Sequence, residues 1–253
     1  MSNTLVSSIT QTDILAFAGK IQRDLGPYIR QASLLTGVPE TLILATAIKE
    51  IQNKPYSSVS GAGAVGVMQI KPLVVMDTIA KARMRNILDG DNVAFLKKKL
   101  GQNFDLVWLE SEALGYNDLA ASVYVVSWNA QNKPAKTRIR GGRNIFKSLL
   151  LDPEFNLYLG ALVLRVLSIE HTYQDQINVA KVMLGYNQGY YALQKSSKLK
   201  GGITNKKFDK IDADSLFRLA PFEGKLYLRD TIGRNGIIQT LNEAATKVGA
   251  RKR

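Results

Sequence analysis

The sequence predicts a mainly α protein. Apolar residues recur at helical spacings along most of the 253 residues. Strand signals are weak and short. Hydrophobic residues make up 45% and charged residues 22%, with no internal repeat and no low-complexity tract, which is the profile of a chain that packs a core. At this length the core needs no disulfide or metal staple.

Taken in order, residues 13–35 place Ile14, Leu15, Phe17, Ile21, Leu25 and Ile29 at spacings of a helix. Gly37, Val38 and Pro39 break it. Pro39 is a start signal for a second helix, Thr41–Ile51, apolar enough to be buried. Glu50 falls at its C-terminal end. Tyr56–Pro72 is rich in Ser and Gly and poor in charge, so it reads as a loop with tight turns. Residues 73–150 are long and mostly helical, with an exposed basic loop expected at 131–143. Residues 153–169 return to an apolar helix carrying Phe155, Leu157, Leu159, Leu162, Val163 and Val166. A further helix is expected over 176–187, a lysine-rich loop over 195–212, and a helix over 225–245 interrupted near Gly233–Gly236.

Composition narrows the chemistry. The chain has no cysteine and one histidine, His171. Disulfides, thiol catalysis, zinc fingers and nearly all histidine-built metal sites are excluded. No cofactor is expected. His171 itself reads as a surface helix residue, since no partner cluster surrounds it. The formal net charge is +13, and residues 193–253 carry 14 basic against 6 acidic side chains. Such a surplus suits polyanions: nucleic acid, an anionic membrane or an acidic wall polymer. No basic reading helix, stacking motif or zinc pattern points to specific nucleic-acid recognition. No apolar run reaches the length of a transmembrane span. The first residues lack the pattern of a signal peptide, so the chain is expected to be made as a soluble protein.

By position alone Glu50 reads as a solvated helix-end carboxylate. The pattern around it changes that reading. Glu50 is followed by Pro55, Ser60 and then Gly63-Ala64-Val65-Gly66-Val67-Met68-Gln69-Ile70-Lys71-Pro72. This resembles the goose-lysozyme-like, soluble-type lytic transglycosylases, in which a catalytic Glu ends a helix and a "GAxGLMQIxP" segment follows. Asp152 through Gly160 resembles the family's "dpxxNIxxGxxYL" helix. Met183 to Gly189 resembles its "AAYNAGP" block, and Pro221 to Leu228 its "PxETRxYV" block. The blocks occur in the family's order and cover roughly residues 28–72 and 150–235. The chain departs from the pattern in places. Ile51 stands where Ser usually follows the Glu, Gly224-Lys225 replaces Thr-Arg, and 73–150 far exceeds the usual connector.

The resemblance implies a single lysozyme-like (goose-type or soluble lytic transglycosylase) catalytic domain over 1–253. It has a helical insertion at 73–150 and a basic C-terminal part, 193–253, that includes the last block. It implies cleavage of the N-acetylmuramic acid–N-acetylglucosamine bond of peptidoglycan without water, giving 1,6-anhydromuramic acid ends. Glu50 serves as acid and then as base. Ser60, Met68, Gln69, Tyr186, Asn187, Glu223 and Tyr227 are the implied substrate-binding residues. Each also has a plainer reading as a turn, core or surface residue.

Most glycosidases use two carboxylates. No motif places a second one near Glu50, although Glu110 and Glu112 lie in the insertion. A hydrolytic muramidase on the same scaffold, or a catalytically decayed basic virion structural or binding protein, are the competing readings. The implied partners are peptidoglycan glycan strands and phage virion or tail proteins. The expected place of action is the bacterial cell wall, as a virion component or endolysin.

Overall fold

A computed structural model describes residues 6–115, 142–173, 176–188 and 211–250. The described chain is mainly helical: α1 (Gln11–Thr36), α2 (Glu40–Ile51), α3 (Pro72–Met84), α4 (Gly90–Leu100), α5 (Phe104–Gly115), α6 (Gly142–Leu150) and α7 (Pro153–Glu170). A two-stranded antiparallel ribbon follows, β1 (Thr172–Tyr173) and β2 (Gln176–Ile177), then α8 (Val179–Gln188), α9 (Ala213–Leu219), α10 (Phe222–Ile232) and α11 (Ile237–Ala250). The helices expected over 13–35, 41–51 and 153–169 are present, and the break near Gly233–Gly236 separates α10 from α11. The helix expected over 176–187 starts only at Val179, because Gln176 and Ile177 pair with β1; of the helical stretch expected at 73–150, residues 116–141 fall outside the described residues. The basic loop expected at 131–143 falls outside the described residues up to 141, as do the lysine-rich 195–210 and the apolar run Val123–Val126. No described helix is long and apolar enough to cross a membrane.

The chain forms two compact units. One comprises Met1–Gly26, Val38–Asn53 and Val163–Arg253; the other comprises Pro27–Gly37 and Lys54–Leu162.

In the first unit α2 is the central element. Ile43, Leu44, Ala45, Ile48 and Ile51 are all buried, so the helix is apolar around most of its circumference. That pattern is stable only inside a core. Each fully buried isoleucine contributes about 1.5–3 kcal/mol. Helix α2 ends at Gln52, whose positive φ of 46° turns the chain away while its N–H still bonds the Ile48 carbonyl at 3.0 Å. Helices α10 and α11 pack on α2, and α10 also packs on α8.

In the second unit α3 packs on α5 and α6. The Ser/Gly loop is held by its own backbone. Val65 and Ile70 exchange N–H···O bonds of 2.9 and 3.0 Å, and the Gly66 N–H reaches the Ser58 carbonyl at 2.9 Å. A single side chain from α7 organises the turn between Val65 and Met68. Asn156, fully buried, accepts from the Met68 N–H at 2.7 Å and donates to the Val65 and Leu150 carbonyls at 2.9 and 3.0 Å. The approach demands glycine at position 66. Its φ is +79°, and a Cβ there would lie 2.3 Å from the Asn156 amide nitrogen. Two blocks about ninety residues apart in the chain are thus one packed object.

His171 departs from the surface position expected for it. It follows α7 directly and is only 5% exposed. Burial, with the charge of Lys181 adding to it, lowers its pKa from 6.5 to about 4. The apolar wall of α7 and α8 carries it inward, which a lone His in a sequence does not announce.

Two outcomes follow from this packing. Asn156→Ala removes three buried hydrogen bonds, to the Met68 N–H and to the Val65 and Leu150 carbonyls, and should cost about 2–4 kcal/mol in a urea titration. A loss under half of the lower figure would show that the Asn156 bonds do not hold the loop. The second concerns pH. Between the unfolded His value near 6.5 and the folded value of about 4, the unfolded chain binds the His171 proton and the folded chain does not. Stability therefore falls as pH drops through that window, by about 3 kcal/mol at most. His171→Leu should flatten the slope of the urea midpoint between pH 6.5 and 4.

Candidate active site

The site is built at the C-terminal end of α2. Seven buried residues fix that helix, so its last turn has little freedom. Lys49 and Glu50 emerge there, both half-buried. The Tyr227 hydroxyl, on α10, donates to Glu50 Oε1 at 2.8 Å. A hydrogen bond to an ionised acceptor of this kind contributes about 1.5–3 kcal/mol. Tyr186, in the last turn of α8, is the second phenol set against the Glu50 carboxylate. Burial pushes its hydroxyl well above the usual phenol value, and the Glu50 charge pushes it further. Tyr227 is raised for the same two reasons, with Tyr186 and the hydrogen bond to Glu50 adding to them. Both phenols therefore stay protonated and neutral, able to donate and unable to add negative charge.

The two tyrosines converge because α8 and α10 pack closely. A Cβ at Gly224 would lie 2.6 Å from Leu184 Cδ1, so a glycine one turn before Tyr227 lets the helices meet.

Lys49 makes a second tie between α2 and α10. Its Nζ lies 2.7 Å from Asp230 Oδ2 and 5.7 Å from the centre of the Tyr227 ring. Burial works against the Asp230 anion, but the hydrogen bonds from Lys49, the Ser8 backbone and Arg229 outweigh it and hold the carboxyl at about 2.

The remaining residues proposed from sequence are placed as follows. Glu223 is exposed in the first turn of α10, four residues before Tyr227 and so on the same side of that helix. Asn187 is exposed at the end of α8 and accepts from the Gln188 amide. Ser60, Met68 and Gln69 belong to the second unit. The Ser60 hydroxyl accepts from the Ala64 N–H at 3.0 Å and closes the loop's first turn. Met68 is 0% exposed, and its side chain packs against Gly160. It has no surface with which to wall an open cleft; the apolar core of the unit has taken it in. Gln69 sits at a positive φ of 47°, and its amide nitrogen donates to the Gly66 carbonyl at 2.8 Å and to Ser58 Oγ at 3.2 Å. Glu110 and Glu112 lie on α5, and their side chains fall outside the described residues.

The structure therefore sorts the blocks. Glu50, Tyr186 and Tyr227 come together in one unit. The Gly-rich segment and the Asn156 helix come together in the other. Lys49, Asn156 and Asp230 were not proposed from sequence. Asn156 stands inside a quoted block and was legible as a polar residue on an apolar helix. Asp230 carried no local signal.

Among the described residues no group of three or more His, Asp or Glu side chains is arranged to hold a metal ion. A cavity of about 1270 Å³ lies elsewhere in the first unit, lined by Ile177, Val179, Ile211, Ile238 and the amides of Gln239 and Asn242. Glu50 is not part of its lining. No protein-family model, curated protein or solved structure matches this chain.

The electrostatic coupling of the three residues is directly testable. In Glu50→Gln the negative charge is gone, so the Tyr186 and Tyr227 phenols should ionise at lower pH than in the wild type. Tyrosinate ultraviolet absorbance reads this as a difference curve. Superimposable curves would show that Glu50 does not act on either phenol.

Proposed function

We propose that this chain is a peptidoglycan lytic transglycosylase with Glu50 as its acid and base. One observation carries the reading. Three sequence blocks, spread from Glu50 to Tyr227, meet at a single carboxylate that receives a phenol hydrogen bond of 2.8 Å. A surface glutamate has no reason to gather a buried and a half-buried tyrosine from two other helices.

In this reading the protonated Glu50 gives its proton to the glycosidic oxygen between N-acetylmuramic acid and N-acetylglucosamine. The bond from that oxygen to the anomeric carbon breaks, and the N-acetylglucosamine end leaves as an alcohol. The acetamide of the muramic residue shares the positive charge left on the anomeric carbon. Glu50, now a carboxylate, takes the proton from the muramic 6-hydroxyl. That oxygen bonds to the anomeric carbon and closes the 1,6-anhydro ring. Glu50 ends protonated, and no water is consumed. One residue doing both steps works best with a pKa near the working pH.

Tyr227 holds the carboxylate by its Oε1. Tyr227 stabilises the Glu50 anion by donation, and Tyr186, neutral as well, adds no competing charge. Tyr186, Asn187 and Glu223 are the substrate-contacting residues of this unit. Ser60 and Gln69 belong to the second unit, and the substrate-binding role that the resemblance implies for them is part of this reading. The net charge of +13 suits a mesh bearing stem-peptide carboxylates and anionic accessory polymers. The reading places the protein's work at the bacterial cell wall, as a phage virion component or an endolysin.

The test is mass spectrometry of purified peptidoglycan digested by the wild type and by Glu50→Gln. Anhydromuramoyl products are expected from the wild type, with the variant slower by about a thousandfold or more. Reducing ends in place of anhydro ends would make the enzyme a hydrolase. No release of glycan by the wild type would overturn the enzymatic reading.

A further inference from the structure

We infer that Asp230, acting through Lys49, is a positioning residue for Glu50. The inference rests on the reading of Glu50 as the acid and base.

Helices α2 and α10 are tied twice, one rung beside the other. Glu50 receives Tyr227 at 2.8 Å, and Lys49, the residue before it, reaches Asp230 at 2.7 Å. Tyr227 and Asp230 are three residues apart and face the same way on α10. Neither rung is a surface contact. The Lys49 and Asp230 side chains are 14% and 4% exposed.

Asp230 is itself immobilised. Its Oδ1 accepts from the Ser8 N–H at 3.0 Å, the Ser8 hydroxyl at 2.9 Å and Arg229 Nε at 3.0 Å. That leaves Oδ2 for Lys49 in a single orientation. The segment bearing Ser8 is in turn held on the same unit, with the Ser7 N–H bonded to the Arg234 carbonyl at 3.1 Å. A lysine has a long flexible stem, and alone it would not define a geometry. Here the carboxylate that catches it is fixed on three sides, so the lysine becomes a rigid strut. Its cation then sits over the edge of the site, 5.7 Å from the ring whose hydroxyl binds Glu50.

The same arrangement sets the charge that Glu50 feels. A lone ammonium one residue away would favour the Glu50 anion and deplete the protonated form that donates the first proton. The Asp230 carboxylate cancels most of that field. The other groups set against this end of α2 are Tyr186 on α8 and Tyr227 on α10, both neutral. Glu223 is exposed on α10, and Arg229 is paired with Asp230. Helix α11, which also packs on α2, carries Glu243 and Lys247 on exposed positions. Asp230 is therefore the group that decides whether the Lys49 charge reaches Glu50.

The experiment follows the Glu50 carboxyl directly, by carbon NMR of the full chain labelled at the glutamate side-chain carboxyl carbons. The Glu50 signal is the one lost in Glu50→Gln. In Asp230→Asn its titration midpoint should move to lower pH by about half a unit or more, because Lys49 is left uncompensated. In Lys49→Met, which removes the cation, the midpoint should move the other way. If Asp230→Asn does not fold, Lys49→Met alone decides. An unchanged Glu50 midpoint in a folded variant overturns the inference. On peptidoglycan the basic limb of the kcat/KM profile should move with the NMR midpoint in each variant, with kcat changing more than KM. A wild type that releases no glycan defeats the proposed activity while the NMR titrations still decide the role of Asp230.

Discussion

A half-buried carboxylate at the end of an apolar helix is costly unless donors meet it. Glu50 is met by Tyr227 at 2.8 Å, and the first unit is arranged around that meeting. Helix α2 is buried from Ile43 to Ile48 and again at Ile51, so it cannot slide to find partners. The partners must be brought to it. Helix α10 is brought by its packing on α2 and α8, and by a glycine at 224 where a larger residue would collide with Leu184. The hydroxyl, the ion pair one residue away and the glycine are three consequences of one requirement.

The ion pair shows how such a site avoids the usual weakness of buried charges. Desolvating two ions often costs as much as their attraction returns. Asp230 escapes this because its second oxygen is satisfied by Ser8 and Arg229, so no lone pair is left stranded. The carboxyl stays ionised at any moderate pH, held at about 2. The pair is therefore better understood as a device for orientation than as a source of net stability. In the proposed reading, its place beside Glu50 gives that orientation a chemical use.

The second unit solves a different problem with the same kind of economy. A loop rich in serine and glycine has high conformational entropy to lose on ordering. One buried amide, Asn156, satisfies a backbone N–H and two carbonyls at once. The loop can therefore lie against the core without stranded polar groups. Met68 seals the contact from within, and Gln69, in a left-handed conformation, folds its amide back onto the turn.

Helix positions were legible in the sequence because burial imposes a period on apolar residues. Ile43, Ile48 and Ile51 announce α2, and the Gly233–Gly236 break announces the end of α10. Glu50 was legible because its neighbours form an ordered set of blocks, and Tyr186 and Tyr227 because they stand inside those blocks. The partners of each block were not legible. Nothing local to Asn156 says that it will hold Gly66 and Met68, about ninety residues earlier, and nothing local to Asp230 says that it will catch Lys49. His171 was misplaced for the same reason: an isolated histidine does not reveal which way its helix faces. Periodicity and motif order are properties of neighbouring residues and survive in a linear chain. Which polar atoms are desolvated together depends on contacts between segments far apart in sequence, and only the folded chain decides that.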